Sequence, residues 1–258
     1  MRPVYCFMKN HSLLLLLVSI SFRLFSQKED YTWIAGISPV KMSFTDTGFI
    51  YDNAFAQIGG LDFFNTSFTQ NDSSGNLLFY TNGAEIYDRN GNVMENGDGL
   101  NPSAYLTGLQ SGNSFLQGAM GIKKPGSDSL YYLFHFGAND NCPGYPVGAE
   151  HVCNLYLTTI DLRANYSLGR VIEKNHAILQ DSILTNTEMT LMRHGNGKDW
   201  WLIKRGGYSS NRYYKFSITD NGIFGPIAQD IGSTPLSYSG VAGTAVISSN
   251  GAKFVGNT

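Results

Sequence analysis

Charge is the scarcest commodity in this sequence. Only 15% of its 258 residues are Asp, Glu, Lys or Arg, against roughly 25% in an average soluble protein. The formal net charge is -2, so there is no basic excess to neutralise a phosphate backbone, which argues against general nucleic-acid binding. Sustained helical periodicity is missing from every ten-residue window, which excludes a helical bundle. Cysteine is nearly absent, at three. No HExxH or HxxxH arrangement occurs, and no G-x-S-x-G stands near a plausible triad, so neither a zinc protease nor a serine hydrolase is indicated. The predicted cofactor, metal and catalytic assignments are therefore none. Gly206-Gly207 follows a strand and opens no helix, which leaves phosphate cradling unsupported.

What is present points to strands. Hydrophobic residues make up 42% of the chain, enough to bury a core, and aromatic residues 13%. Aromatic residues favour strands, and the 29 glycines favour the tight turns between them. The segment 1–26 has the layout of a secretory signal peptide. Arg2 and Lys9 precede an uncharged apolar run from Leu13 to Phe22, Ser26 is a small residue suited to the position before the cut, and Gln27-Lys28-Glu29-Asp30 is polar. The run is too short to span a bilayer, Arg23 ends it, and no later segment suits a transmembrane helix. Cys6 lies ahead of the run, where it cannot be a lipidation site. The mature chain keeps Cys142 and Cys153, an even pair in an exported protein, which predicts one disulfide across the Gly/Pro-rich loop 143–148. Such a clip contributes about 2–3 kcal/mol; two cysteines without further ligands make a poor zinc site.

Strand signals recur in a fixed order. Polar turns at 72–76, 125–128, 194–199 and 248–253 each follow a first strand, predicted over 61–69, 117–123, 188–193 and 244–248. Each turn leads into a second strand, predicted over 77–81, 129–136, 200–203 and from 254. Third strands follow at 84–88, 154–161 and 212–219, and fourth strands at 169–172 and 226–231. Four strands at a spacing of about 50–70 residues are the signature of propeller blades. One such sheet buries neither face alone, so stacking of neighbours makes the core. The predicted fold is all-β, a partial β-propeller over 27–258 with about three and a half blades, a fragment or truncated product. The stretch 31–38 is expected to complete the last blade of a ring. A β-sandwich is the alternative, though it would not require the same turn and strand order three times.

These segments also carry a resemblance. Gly60-Leu61-Asp62-Phe63, Ser74-Gly75-Asn76-Leu77-Leu78-Phe79-Tyr80-Thr81-Asn82-Gly83, Tyr87-Asp88-Arg89-Asn90-Gly91-Asn92-Val93-Met94, Lys124-Pro125-Gly126-Ser127 and 193–201 resemble the N-terminal WD-like propeller region of large surface proteins of gliding bacteria. Those proteins are exported by type IX secretion and often end in a gliding-motility-associated C-terminal domain. The resemblance covers most of 58–258; the C-terminal sorting domain is not in this sequence. It implies a location outside the cell or on its surface, and it brings no agreed catalytic residues.

Candidate sites are few. Asp88-Arg89-Asn90-Gly91-Asn92 with Glu95 has oxygen ligands at alternating positions, as a calcium loop does, but the closing Glu position holds Gly99, and Asn-Gly turn chemistry explains the same residues. Asn71-Asp72-Ser73-Ser74-Gly75 is similar to the Asp-box turns of sialidase-like propellers, without an assignable arginine triad. His194, beside a turn glycine, is expected to be a structural hydrogen-bond partner. Trp200-Trp201 and Tyr213-Tyr214 are adjacent pairs. Strand neighbours point to opposite faces, so each pair is expected to pack against both flanking blades, with carbohydrate stacking as the functional reading. Asn65, Asn71 and Asn165 stand in sequons expected at surface turns.

The expected function is a secreted cell-surface binding or adhesion scaffold that presents propeller loops to a protein or glycan. The alternative is an extracellular carbohydrate-active enzyme, a glycosidase or lyase, which needs two carboxylates at a fixed separation. Export predicts a mature N-terminus at Gln27, read by intact-mass measurement of secreted protein. A retained segment 1–26 would refute cleavage.

Overall fold

The computed structural model describes residues 28–37, 39–45, 47–52, 62–63, 65–109, 112–234, 244–248 and 253–256. The predicted signal segment 1–26 lies outside these. The described chain is all-β, arranged as five antiparallel sheets in chain order. Sheet I holds β1 (Thr32–Ala35), β2 (Val40–Thr45) and β3 (Gly48–Asp52); sheet II holds β4 (Phe68–Asn71), β5 (Leu77–Thr81) and β6 (Ile86–Asp88). Sheet III holds β7 (Ala119–Lys123), β8 (Leu130–His135), β9 (Val152–Asp161) and β10 (Arg170–Leu184). Sheet IV holds β11 (Met189–Arg193), β12 (Trp200–Arg205), β13 (Arg212–Thr219) and β14 (Gly222–Asp230); sheet V holds β15 (Ala245–Ile247) and β16 (Phe254–Gly256). Within every sheet each strand pairs only with its neighbours in sequence.

The turns that join first to second strands form because their side chains bond their own backbone. Asp72 Oδ1 accepts from the N–H groups of Ser74 and Asn76. Ser127 Oγ accepts from those of Ser129 and Leu130, and Asn196 Oδ1 from those of Lys198 and Asp199. Short polar side chains mimic a backbone turn in this way.

Sheets II and III bury apolar residues on both faces. In β5, Phe79 packs toward sheet III and Tyr80 toward sheet I; in β8, Tyr131 and Leu133 face sheet II while Tyr132 and Phe134 face sheet IV. Three apolar clusters result, one per seam. Ile34, Phe63, Tyr80 and Tyr87 fill the seam between sheets I and II. Phe79, Ile86, Leu133 and Ile160 fill that between II and III. Phe134, Leu155, Leu202 and Phe216 fill that between III and IV.

The first strands meet in succession: β1 touches β4, β4 touches β7, β7 touches β11 and β11 touches β15. Gly121 in β7 shows how close they come. A Cβ there would lie 2.7 Å from the Phe68 ring of β4. Just before β7, the Gln117 amide donates to Ala245 O and accepts from Ala245 N of β15, at 3.2 and 3.0 Å. The first strands of sheets III and V thus approach one another directly.

Two expectations need correction. Among the described residues the stretch 31–37 joins no later sheet, because β1 pairs with β2 in a sheet of its own, and β2–β3 is a hairpin the strand pattern did not predict. Asn71 is no surface residue either. It is 1% exposed, and its Nδ2 donates to Glu29 O and Thr32 O.

Phe79 and Phe134 are both fully buried. Phe79→Ala and Phe134→Ala are each expected to lower stability by about 3–5 kcal/mol, measured by urea unfolding. A loss under about 1 kcal/mol would mean that the seams do not carry the fold.

Candidate functional site

Two of the openings among the described residues lie at opposite ends of the strands. At one end the turns after β4, β7 and β11 converge on a cleft of about 340 Å³. Its lining includes Glu29, Asp72, Lys123, Lys124, Arg193 and Lys198. Asp72 gives Oδ1 to two backbone donors and Oδ2 to Asn76 Nδ2. Its carboxyl is held below the usual range: partial burial acts the other way and the bonds from Asn76, Ser74 and Gly75 prevail. Arg193 lies over the Trp200 ring at 5.1 Å.

At the opposite end a groove of about 510 Å³ separates the β8–β9 loop from the β12–β13 loop. Tyr145 and His151 form one wall, and Ile183, Gly207 and Tyr208 the other. Cys142 and Cys153 are joined in a disulfide, with 5.5 Å between their Cα atoms, as the sequence predicts. Asp140 fixes the rest of that loop. Its Oδ1 accepts from Gly148 N and its Oδ2 from Ala104 N, at 3.0 and 2.9 Å. Asn139 Oδ1 accepts from the N–H groups of Cys153 and Asn154. On the facing wall Tyr208 Oη accepts from Asn186 N at 3.0 Å. Gly207 is required there, since a Cβ would lie 2.9 Å from Ile183 Cγ2. Both walls are therefore set by bonds from outside the groove.

Buried polar groups tie the sheets beside this groove. His135 is wholly buried between sheets II and III, with Nδ1 2.8 Å from Asn101 Oδ1 and Nε2 2.8 Å from Thr158 Oγ1. Asn101 Nδ2 donates to Gly83 O, so its Oδ1 is the acceptor and His135 Nδ1 carries the proton. Burial pushes the imidazole down to about 3. Lys204 is also wholly buried. Its Nζ donates to Thr185 O at 2.6 Å and Thr185 Oγ1 at 3.0 Å, and to Thr187 O, with the Phe136 ring 4.2 Å away. Burial lowers Lys204 to about 7, with Glu188 opposing and Arg205 adding. Arg205 meets Glu188 at 2.9 Å, both nearly buried. These groups pin the 185–188 crossing from sheet III to sheet IV.

The aromatic pairs divide between faces as the strand period requires. Trp200 packs toward the cluster between sheets III and IV, and Tyr214 lies within it. Trp201 stands against His194, with ring centroids 5.5 Å apart. Tyr213 meets Phe254 of sheet V edge-on at 5.3 Å. His194 Nδ1 accepts from Asn196 N at 3.1 Å, a structural bond. Asp88 Oδ1 accepts from the N–H groups of Asn90 and Asn92 in its own turn. Among the described residues no group of three or more His, Cys, Asp or Glu side chains is placed to hold a metal ion. No helix among them is long and apolar enough to cross a membrane.

Comparison with protein-family models, curated proteins and solved structures found no match to this chain.

His135 supplies a pH test. Its folded value lies below the unfolded value of about 6.5, so it contributes stability that is present above pH 6.5 and is lost as pH falls toward 3. The full loss is on the order of 5 kcal/mol. Its imidazole resonances are expected to stay unchanged in an NMR titration from neutral pH down to about 4. A midpoint near 6 would show that the ring is solvated.

Proposed function

We propose that this chain is an extracellular binding scaffold, a β-propeller whose successive sheets are its blades, and that the disulfide-braced groove receives a glycan or protein partner. The blade reading is supported by the succession of first-strand contacts and by the burial of both faces of the inner sheets. Export rests on the segment 1–26, and a place on the surface of a gliding bacterium rests on the resemblance of the turn and strand motifs.

One observation carries the binding role. The groove is lined by rings, Ile183, a glycine and two serines, with no Asp, Glu, Lys or Arg, and its walls are locked by the disulfide, Asp140 and the Asn186–Tyr208 bond. A preformed site does not spend binding energy on ordering its own loops. Tyrosine offers large contact area with few rotatable bonds. Such rings fit the apolar face of a sugar or the side chains of a peptide, and the exposed Ser209 offers a hydroxyl to a polar edge.

The exported chain is to be screened on glycan arrays and against surface-protein extracts. Tyr145→Ala and Tyr208→Ala are each expected to weaken the recovered ligand by about tenfold or more, which corresponds to ~1.4 kcal/mol. Unchanged affinity in both variants, with the fold intact by circular dichroism, would remove the groove from the interface.

A further inference from the structure

The cleft at the opposite end differs from the groove in kind. We propose that it binds the oxyanions of an acidic polysaccharide, either uronate carboxylates or sulfate esters. Four cations, Lys123, Lys124, Arg193 and Lys198, line it against two carboxylates, Glu29 and Asp72. The excess is positive on a chain whose formal net charge is -2. The three bonds printed for the Asp72 carboxylate come from its own turn rather than from these cations. None of the four cations takes part in an ion pair among the described residues. Four cations against two carboxylates leave a net positive cleft, and an anion bound among the cations relieves their mutual repulsion.

The cleft is also shaped. Arg193 is held by its position over Trp200 and by an Nη1 bond to Gly197 O at 3.4 Å. A guanidinium has five N–H donors in a planar fork suited to carboxylate or sulfate, and this attitude spends only one of them on the turn. Lys123 ends β7 on a neighbouring sheet, Lys124 opens the turn that follows it, and Lys198 sits on the turn that Asn196 fixes. The cations are thereby spread over two rigid turns rather than one flexible loop. Such a spread engages successive charges along a chain better than a single small ion. The Trp200 and Tyr131 side chains contribute apolar surface to the same cleft, which suits sugar rings between the charged groups.

The test titrates the exported chain with polygalacturonate, dextran sulfate, neutral dextran, polyglutamate and single-stranded DNA by biolayer interferometry. The expected result is binding to polygalacturonate or dextran sulfate that weakens as salt rises past about 0.15 M, with none to neutral dextran. Whichever of the two binds tells carboxylate from sulfate as the source of the oxyanion. Arg193→Ala and Lys198→Glu are each expected to weaken it by about tenfold, and Arg193→Lys by less, because an ammonium lacks the fork. Tyr145→Ala is expected to leave it unchanged, which separates this cleft from the groove. Equal binding to polyglutamate or DNA would overturn the proposal in favour of another acidic partner. Binding to neither acidic polysaccharide, or binding indifferent to all three cleft variants with thermal melts unchanged, would overturn it outright.

Discussion

A β-sheet with apolar residues on both faces cannot be stable in water by itself, and the arrangement of this protein depends on that constraint. Sheets II and III each expose aromatic side chains on two sides, so each needs a neighbour on two sides. At roughly 1.5–3 kcal/mol for each large apolar side chain fully buried, the seams outweigh any contribution from single turns. The strand period of two performs the distribution. Successive residues of β8 go alternately to sheet II and to sheet IV, which is why consecutive aromatic residues are common here rather than the polar alternation of a one-sided sheet.

Apolar packing alone would let neighbouring sheets slide. Polar bonds with directional requirements fix their relation. The His135, Asn101, Thr158 and Asn175 set joins β8, β9 and β10 to the loops of sheet II: Asn175 Oδ1 accepts from Asn101 N and its Nδ2 donates to Gly99 O. Lys204 and the Arg205–Glu188 pair fix the crossing into sheet IV. A buried charge or imidazole without such partners would cost several kcal/mol, so a displaced register is penalised more sharply than methyl packing could arrange. Both openings inherit this rigidity, since their walls are short connections between pinned strands.

The strand order was legible because the turns announce themselves. Asp72 with Asn76, Ser127, and Asn196 with Asp199 are residues whose side chains bond their own turn, and aromatic runs follow them directly. The β2–β3 hairpin was harder to see. Its turn lacks the Asn-Gly pattern, although Met42 and Phe44 alternate with Lys41, Ser43 and Thr45. The disulfide was legible from the even pair of cysteines left beyond the segment 1–26 and the Gly/Pro-rich loop between them. The groove was not, because Tyr145 and Tyr208 are 63 positions apart by their residue numbers and meet only through the packing of sheets III and IV. The strand pattern separates His135 from His151 but does not tell that the first is a buried strut and the second a groove wall. The basic cleft escaped for a related reason: its cations come from separate turns, each unremarkable by itself.

The double-sided strand has a consequence for how such a protein changes over generations. β8 acts as a party wall, and adjoining codons answer to different tenants. A replacement at Leu133 is constrained by Phe79 and Ile160 in one cluster, while the next position, Phe134, is constrained by residues such as Leu155 and Leu202 in another. Compensating changes for two neighbouring positions must therefore be sought on opposite sides of the molecule. One seam can be rebuilt while the seam behind it is left as it was.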